Sequence, residues 1–70
     1  MKNQIEVITF EKSSAIENIV YNHTTELLEI KFNTGGTYEY KGVPSSLVEA
    51  MKLAPSVGRF YHENIRDKFE

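Results

Sequence analysis

The run LLEIKFNTGGTYEYKGVP, Leu27 to Pro44, constrains the fold more than any other stretch of the sequence. Leu28, Ile30 and Phe32 alternate with Leu27, Glu29 and Lys31, the period of a strand with one face in a core and the other in solvent. The turn formers Asn33 to Gly36 follow, with two glycines that accept the positive φ other residues resist. Thr37–Gly42 then returns as a partner strand, so an antiparallel hairpin is written into the middle of the chain.

Within it, Tyr38 and Tyr40 are two apart and share a face. The turn decides which face. A two-residue loop, Thr34 and Gly35, sets Tyr38 opposite Lys31 and turns both rings away from Phe32. A three-residue loop, Thr34 to Gly36, sets Tyr38 opposite Phe32 and Tyr40 opposite Ile30. A bulge at either glycine has the same power to flip the face. Outward rings beside Lys31 and Lys41 would form a basic aromatic platform of the kind that stacks unpaired bases. Inward rings would be core, with hydroxyls reaching its edge for a partner. A chain of 70 residues buries only about 60% of the surface its unfolded form exposes. Such a chain needs its aromatic burial, which favours the inward reading.

Elsewhere, Gln4–Phe10 is β-branched and aromatic, hence strand-like. Its apolar residues fall at positions 5 and 7, then 8 and 10, a phase slip that suggests a bulge or a change of partners. Ala15–Asn22 reads as a second strand with Ile19 and Tyr21 on one face, followed by the turn formers Asn22–Thr25. After the hairpin, Pro44 suits the first position of a helix. Leu47, Val48, Met51 and Ala54 form its apolar stripe, and Pro55 closes it by biasing Ala54 to extended backbone. Ser56 caps a second helix running to Phe69, with Val57, Phe60, Tyr61, Ile65 and Phe69 on its apolar side. Gly58, in its first turn, permits close approach of a neighbouring element. Strands followed by helices give an α+β domain: an antiparallel meander of three or four strands, with two short C-terminal helices packed on one face.

The chain reads as one domain, residues 1–70, without linker or repeat. It has no cysteine, so neither a disulfide framework nor a thiolate metal site supports it. No apolar run approaches the roughly 20 residues of a membrane span. MKNQIEVITF is too polar for a signal peptide, and the cytoplasm is the expected compartment. The net charge of −2 argues against a protein that depends on electrostatic grip on nucleic acid. His23 and His62 lack metal-ligand spacing and read as surface histidines. Ser13 and Ser14 lack a nucleophile's context and read as turn or strand-start residues, and Asp67 is the sole aspartate. On the polar face of the second helix, Arg59 with Glu63 and Arg66 with Glu70 are spaced for exposed ion pairs. The sharper reading of that face gives Arg59 and Arg66 to phosphates or an acidic partner.

Read together, SSAIENIVYN, the hairpin with its central Y-x-Y, and APSVGRFYHENIRDKF with its Ser-x-Gly and Ile-Arg resemble the KTSC domain. This is a short bacterial and phage family, also found at the C-terminus of some lysyl-tRNA synthetases. The resemblance covers residues 13–69, leaving Gln4–Phe10 as an extension or a variable first strand. By position, the family's recurrent residues fall on Tyr21, Tyr38, Tyr40, Gly42, Pro44, Ser56, Gly58, Ile65 and Arg66. The synthetase context implies RNA as a partner, although the acidic net charge weighs against it.

The expected function is thus a binding module, not an enzyme, with no cofactor or metal. RNA or other nucleic acid would be met through Lys31, Tyr38, Tyr40, Lys41, Arg59 and Arg66. The alternative is a protein-interaction module, self-associating through a sheet edge or an apolar helix face.

Overall fold

The computed structural model describes residues 4–66 and Lys68. Four strands, β1 (Ile5–Thr9), β2 (Ile16–Asn22), β3 (Leu27–Phe32) and β4 (Thr37–Tyr40), precede two helices, α1 (Ser45–Leu53) and α2 (Val57–Asn64). The strands form one antiparallel sheet in sequence order. This is the expected α+β meander, with the fourth strand present.

One face of the sheet carries the core. Ile16, Ile19 and Tyr21 of β2, Leu28 and Ile30 of β3 and Tyr40 of β4 pack with Val43, Val48, Met51, Tyr61 and Ile65. Alternation along each strand places these residues together, and the helical stripes supply the second layer. Ile8 and Phe10 pack against the same cluster. Ile5 and Val7, on the other face, are 58% and 64% exposed.

The phase slip in QIEVITF is therefore not a bulge. β1 pairs without interruption, from Ile5 opposite Asn22 to Thr9 opposite Asn18, and its two apolar pairs occupy opposite faces. The irregularity lies in β2 instead. Ile16 pairs with Phe32 and Asn18 with Lys31, so Glu17 has no opposite number in β3. That extra residue brings Ile16 to the same face as Ile19.

The hairpin turn starts one residue earlier than expected. The Phe32 N–H donates to the Gly36 carbonyl at 2.8 Å, and the Gly35 N–H donates to the Phe32 carbonyl at 2.9 Å. Asn33, Thr34 and Gly35 thus make a three-residue loop, with Gly35 at φ +104°. Tyr38 stands opposite Ile30, and Tyr40 opposite Leu28. Both rings share the core face.

Pro44 sits one place before the helix, at the N-cap with extended backbone, and its carbonyl accepts from the Leu47 and Val48 N–H groups. Ala54 is extended before Pro55, as that proline requires. Ser56 caps α2 by accepting from the Arg59 N–H. α2 ends at Asn64, short of the expected Phe69. The Ile65 N–H bonds the Tyr61 carbonyl in the helical pattern and the Arg66 N–H bonds it one residue wider, a closing pair that ends the helix as Ile65 turns fully into the core. Asp67, Phe69 and Glu70 lie outside the described residues, and with them the expected Arg66–Glu70 pair.

Candidate functional site

The aromatic residues of β3, β4 and α2 form a ladder from the core to the surface. Tyr40 and Tyr61 are 9% and 7% exposed; their hydroxyls hydrogen-bond each other and their rings meet edge-on at 5.8 Å. Tyr61 meets Phe32 at 5.2 Å, and Phe32 meets Tyr38 at 5.5 Å, again edge to face. Such contacts fix ring orientation as well as burying area. The ladder ends at Tyr38, 57% exposed.

One face thus has two outcomes. Tyr40 lies under α2, whereas Tyr38 lies beyond the helix's reach, near the turn. Its ring leans over Gly36, where a β-carbon would stand 3.3 Å from the tyrosine's Cε1. The missing side chain gives the ring its resting place. Burial is the main cause that pushes the Tyr40 hydroxyl well above the ordinary tyrosine pKa, with the bond to Tyr61 second. Neighbouring Arg66 opposes this shift. Tyr40 is therefore a neutral hydroxyl spoken for within the protein, not a stacking surface.

Of the six residues expected to contact nucleic acid all but Tyr40 are exposed, and Tyr38 and Arg66 are the two that act electrostatically on the Tyr40 hydroxyl. Arg66 also donates to the Nδ1 of His62 at 3.2 Å, and the His62 ring packs edge-on to Tyr61 at 5.5 Å. Lys31 belongs to the opposite face of the sheet, 3.6 Å from Glu17. Lys41 is exposed just beyond β4. Arg59 is on α2, its Nε donating to Glu63 at 3.1 Å, the ion pair expected from their spacing.

A second polar centre joins β1 to α1. Glu6 accepts from Lys52 Nζ at 2.9 Å with one carboxylate oxygen, and the other lies 2.9 Å from His23 Nε2. Lys52 also reaches Glu49 at 2.9 Å. The Lys52 bond and then the His23 bond hold the Glu6 carboxyl below its ordinary pKa. Glu49 and then Glu6 hold the Lys52 ammonium above its own. His23 is accordingly half-buried and engaged, where the sequence suggested a surface histidine. Strand register brings Glu6 beside Tyr21, but nothing in the sequence spacing foretells Lys52.

A cleft of about 960 Å³ lies between the β1–β2 connection and the start of α2. Thr9 to Ala15 line one side, and Pro55 to Arg59 with His62 and Glu63 the other. Ser13 and Ser14 belong to this lining, which sequence reading did not foresee. Among the described residues no cluster of three or more His, Cys, Asp or Glu side chains is placed to hold a metal. No described helix is long and apolar enough to cross a membrane.

Comparison with known proteins places this architecture. The profile of the KTSC domain matches residues 12–69. A lysine–tRNA ligase of Trichormus variabilis is 37% identical over 59 residues, 84% of this chain but 10% of that protein. The chain thus spans about a tenth of the length of the ligases it matches. An uncharacterized protein of Stutzerimonas stutzeri is 33% identical over 52 residues, covering 74% of this chain and 73% of its own. The crystal structure of a KTSC domain protein from Yersinia pestis superposes with a TM-score of 0.87 at 36% identity, covering 96% of this chain and 93% of that one. With its meander, two helices and aromatic ladder, the chain belongs to the KTSC domain family.

Proposed function

We propose that this domain is a non-catalytic binding module that takes an unpaired RNA base on the Tyr38 ring. The observation that carries the reading is the exposure of this one aromatic ring at the end of a buried aromatic ladder. A rigidly supported, solvent-facing tyrosine is a stacking surface whose ordering cost is already met by the fold. Arg66, on the same side, offers a phosphate contact. Further support comes from the matching segments in proteins named lysine–tRNA ligase, whose name specifies an RNA. Tyr40 acts as buried support, and Lys31, on the other face, is remote from a nucleotide at Tyr38. With a net charge of −2, binding rests more on stacking than on counterion release.

An amide NMR titration with a pool of short single-stranded RNAs, at low and then moderate salt, tests this. Shifts should centre on Thr37–Lys41 and Arg66. Tyr38→Ala should cost the ~1–3 kcal/mol of one stacked base, and Tyr38→Phe should retain most of the affinity. Unchanged binding by a folded Tyr38→Ala variant would overturn the proposal.

A second reading, association with protein, is favoured by Ile5 and Val7, which stand exposed on the open sheet face at edge strand β1. Light scattering that shows a dimer, abolished by Val7→Lys, would support self-association.

A further inference from the structure

We propose that the cleft between the β1–β2 connection and α2 binds a small phosphomonoester. Its volume of about 960 Å³ suits a small ligand, such sites running from about 300 to 1,000 Å³. Its lining has two chemical parts. Phe10, Ala15, Pro55 and Val57 supply apolar surface. Gly58 keeps the two walls in contact, since a β-carbon there would lie 3.1 Å from that of Ala15.

The polar part is rich in donors. Ser13 Oγ accepts from the Ala15 N–H at 3.2 Å and the Ile16 N–H at 3.0 Å. Ser56 Oγ accepts from the Arg59 N–H at 3.3 Å. Among the described residues neither hydroxyl donates to a protein acceptor, so each keeps its proton for a ligand oxygen. Lys12 and Arg59 stand exposed at the same cleft, and Arg59 spends only its Nε–H on Glu63. Lys52, bound to Glu6 and Glu49, is already neutralised. Lys12 and Arg59 thus balance the lining carboxylates Glu11 and Glu63 in number, so an anion would be held by directed N–H and O–H donors and not by a net positive field. Hydroxyl and guanidinium donors around a compact anion are the chemistry of phosphate recognition. The apolar lining gives the organic body of a monoester a surface that inorganic phosphate would leave unused.

This site is separate from Tyr38, and one experiment distinguishes the two. The labelled chain is titrated with adenosine monophosphate, inorganic phosphate and adenosine while its amides are followed by NMR. The monophosphate should give saturable shifts at Ser13–Ile16 and Ser56–Arg59, binding about tenfold or more tighter than either fragment. The double variant Lys12→Gln/Arg59→Gln should weaken it by about tenfold or more with an otherwise unchanged spectrum, and Tyr38→Ala should not weaken it. No saturable shift at these amides, or equal affinity for the nucleoside and the nucleotide, would overturn the proposal. Shifts confined to Thr37–Tyr40 and abolished by Tyr38→Ala would also overturn it, while leaving base stacking intact.

Discussion

The four tyrosines divide by what their hydroxyls do. Tyr38 presents its ring to solvent, Tyr40 and Tyr61 bond each other, and Tyr21 donates to the Val43 carbonyl at 2.5 Å. The last bond is wholly buried and ties β2 to the segment entering α1. Burial pushes the Tyr21 hydroxyl above its ordinary pKa. Deleting that hydroxyl leaves a buried acceptor without its partner, so Tyr21→Phe should cost about 1–3 kcal/mol in urea unfolding. Tyr38→Phe should leave the midpoint unchanged. Equal midpoints for the two variants would show that the Tyr21 bond contributes nothing net. Side-chain alternation made the shared face of Tyr38 and Tyr40 legible in the sequence. Their difference in exposure was not legible, because it depends on how far α2 extends over the sheet and on Gly36 leaving room for a ring.

At the scale of elements, hydrophobic period and punctuation gave the order of strands and helices correctly. Pro44, Pro55, Ser56 and the glycine turn mark boundaries through backbone chemistry that acts locally. Register was harder. Starting the turn one residue early moves the partner of Tyr38 from Phe32 to Ile30, which turns on which Phe32 hydrogen bonds close the loop, and the bulge at Glu17 answers to the core face of β3. Gly58 shows local and tertiary demands in conflict. In a helix, alanine is favoured over glycine by about 1 kcal/mol, yet a β-carbon at position 58 would meet Ala15 at 3.1 Å. Ala15 has little freedom to retreat: its N–H donates to Ser13 Oγ, and its carbonyl accepts from the Asn33 N–H at 2.9 Å. Gly58→Ala should therefore destabilise, by about 1 kcal/mol net. Adding Ala15→Gly should recover at least ~0.5 kcal/mol in a double-mutant cycle. Additive effects would mean that the close approach is not what requires the glycine.

Across the whole molecule, sequence reading located the core but not the ties between distant segments. The cleft and the Glu6 centre were illegible for one reason: each is built from segments that only the tertiary fold brings together. Glu6 and Lys52 are 46 positions apart, and their pair joins the edge strand to α1. Its pH dependence follows from the direction of each shift. Glu6 has a lowered pKa in the fold, so the unfolded chain binds its proton more readily, from the ordinary value of 4.5. Its contribution is present above that pH and is lost as pH falls through the lower folded value. Lys52 is raised from 10.5, so its contribution is present below that pH and is lost as pH rises through the higher folded value. The urea midpoint of the wild type should thus carry an acid fall from Glu6 and an alkaline fall from Lys52, the latter set first by Glu49 and then by Glu6. Glu6→Gln should lower the midpoint near pH 7 and flatten the acid fall, because the neutral amide has no proton to gain. Lys52→Gln should remove the alkaline fall of Lys52 and reduce the acid one, since Lys52 is the first cause of the Glu6 shift. If both variants kept the full wild-type pH profile, the charge pair would contribute nothing to holding β1 on α1, and the β2 ladder with the apolar packing of Ile8 and Phe10 would hold that strand in place.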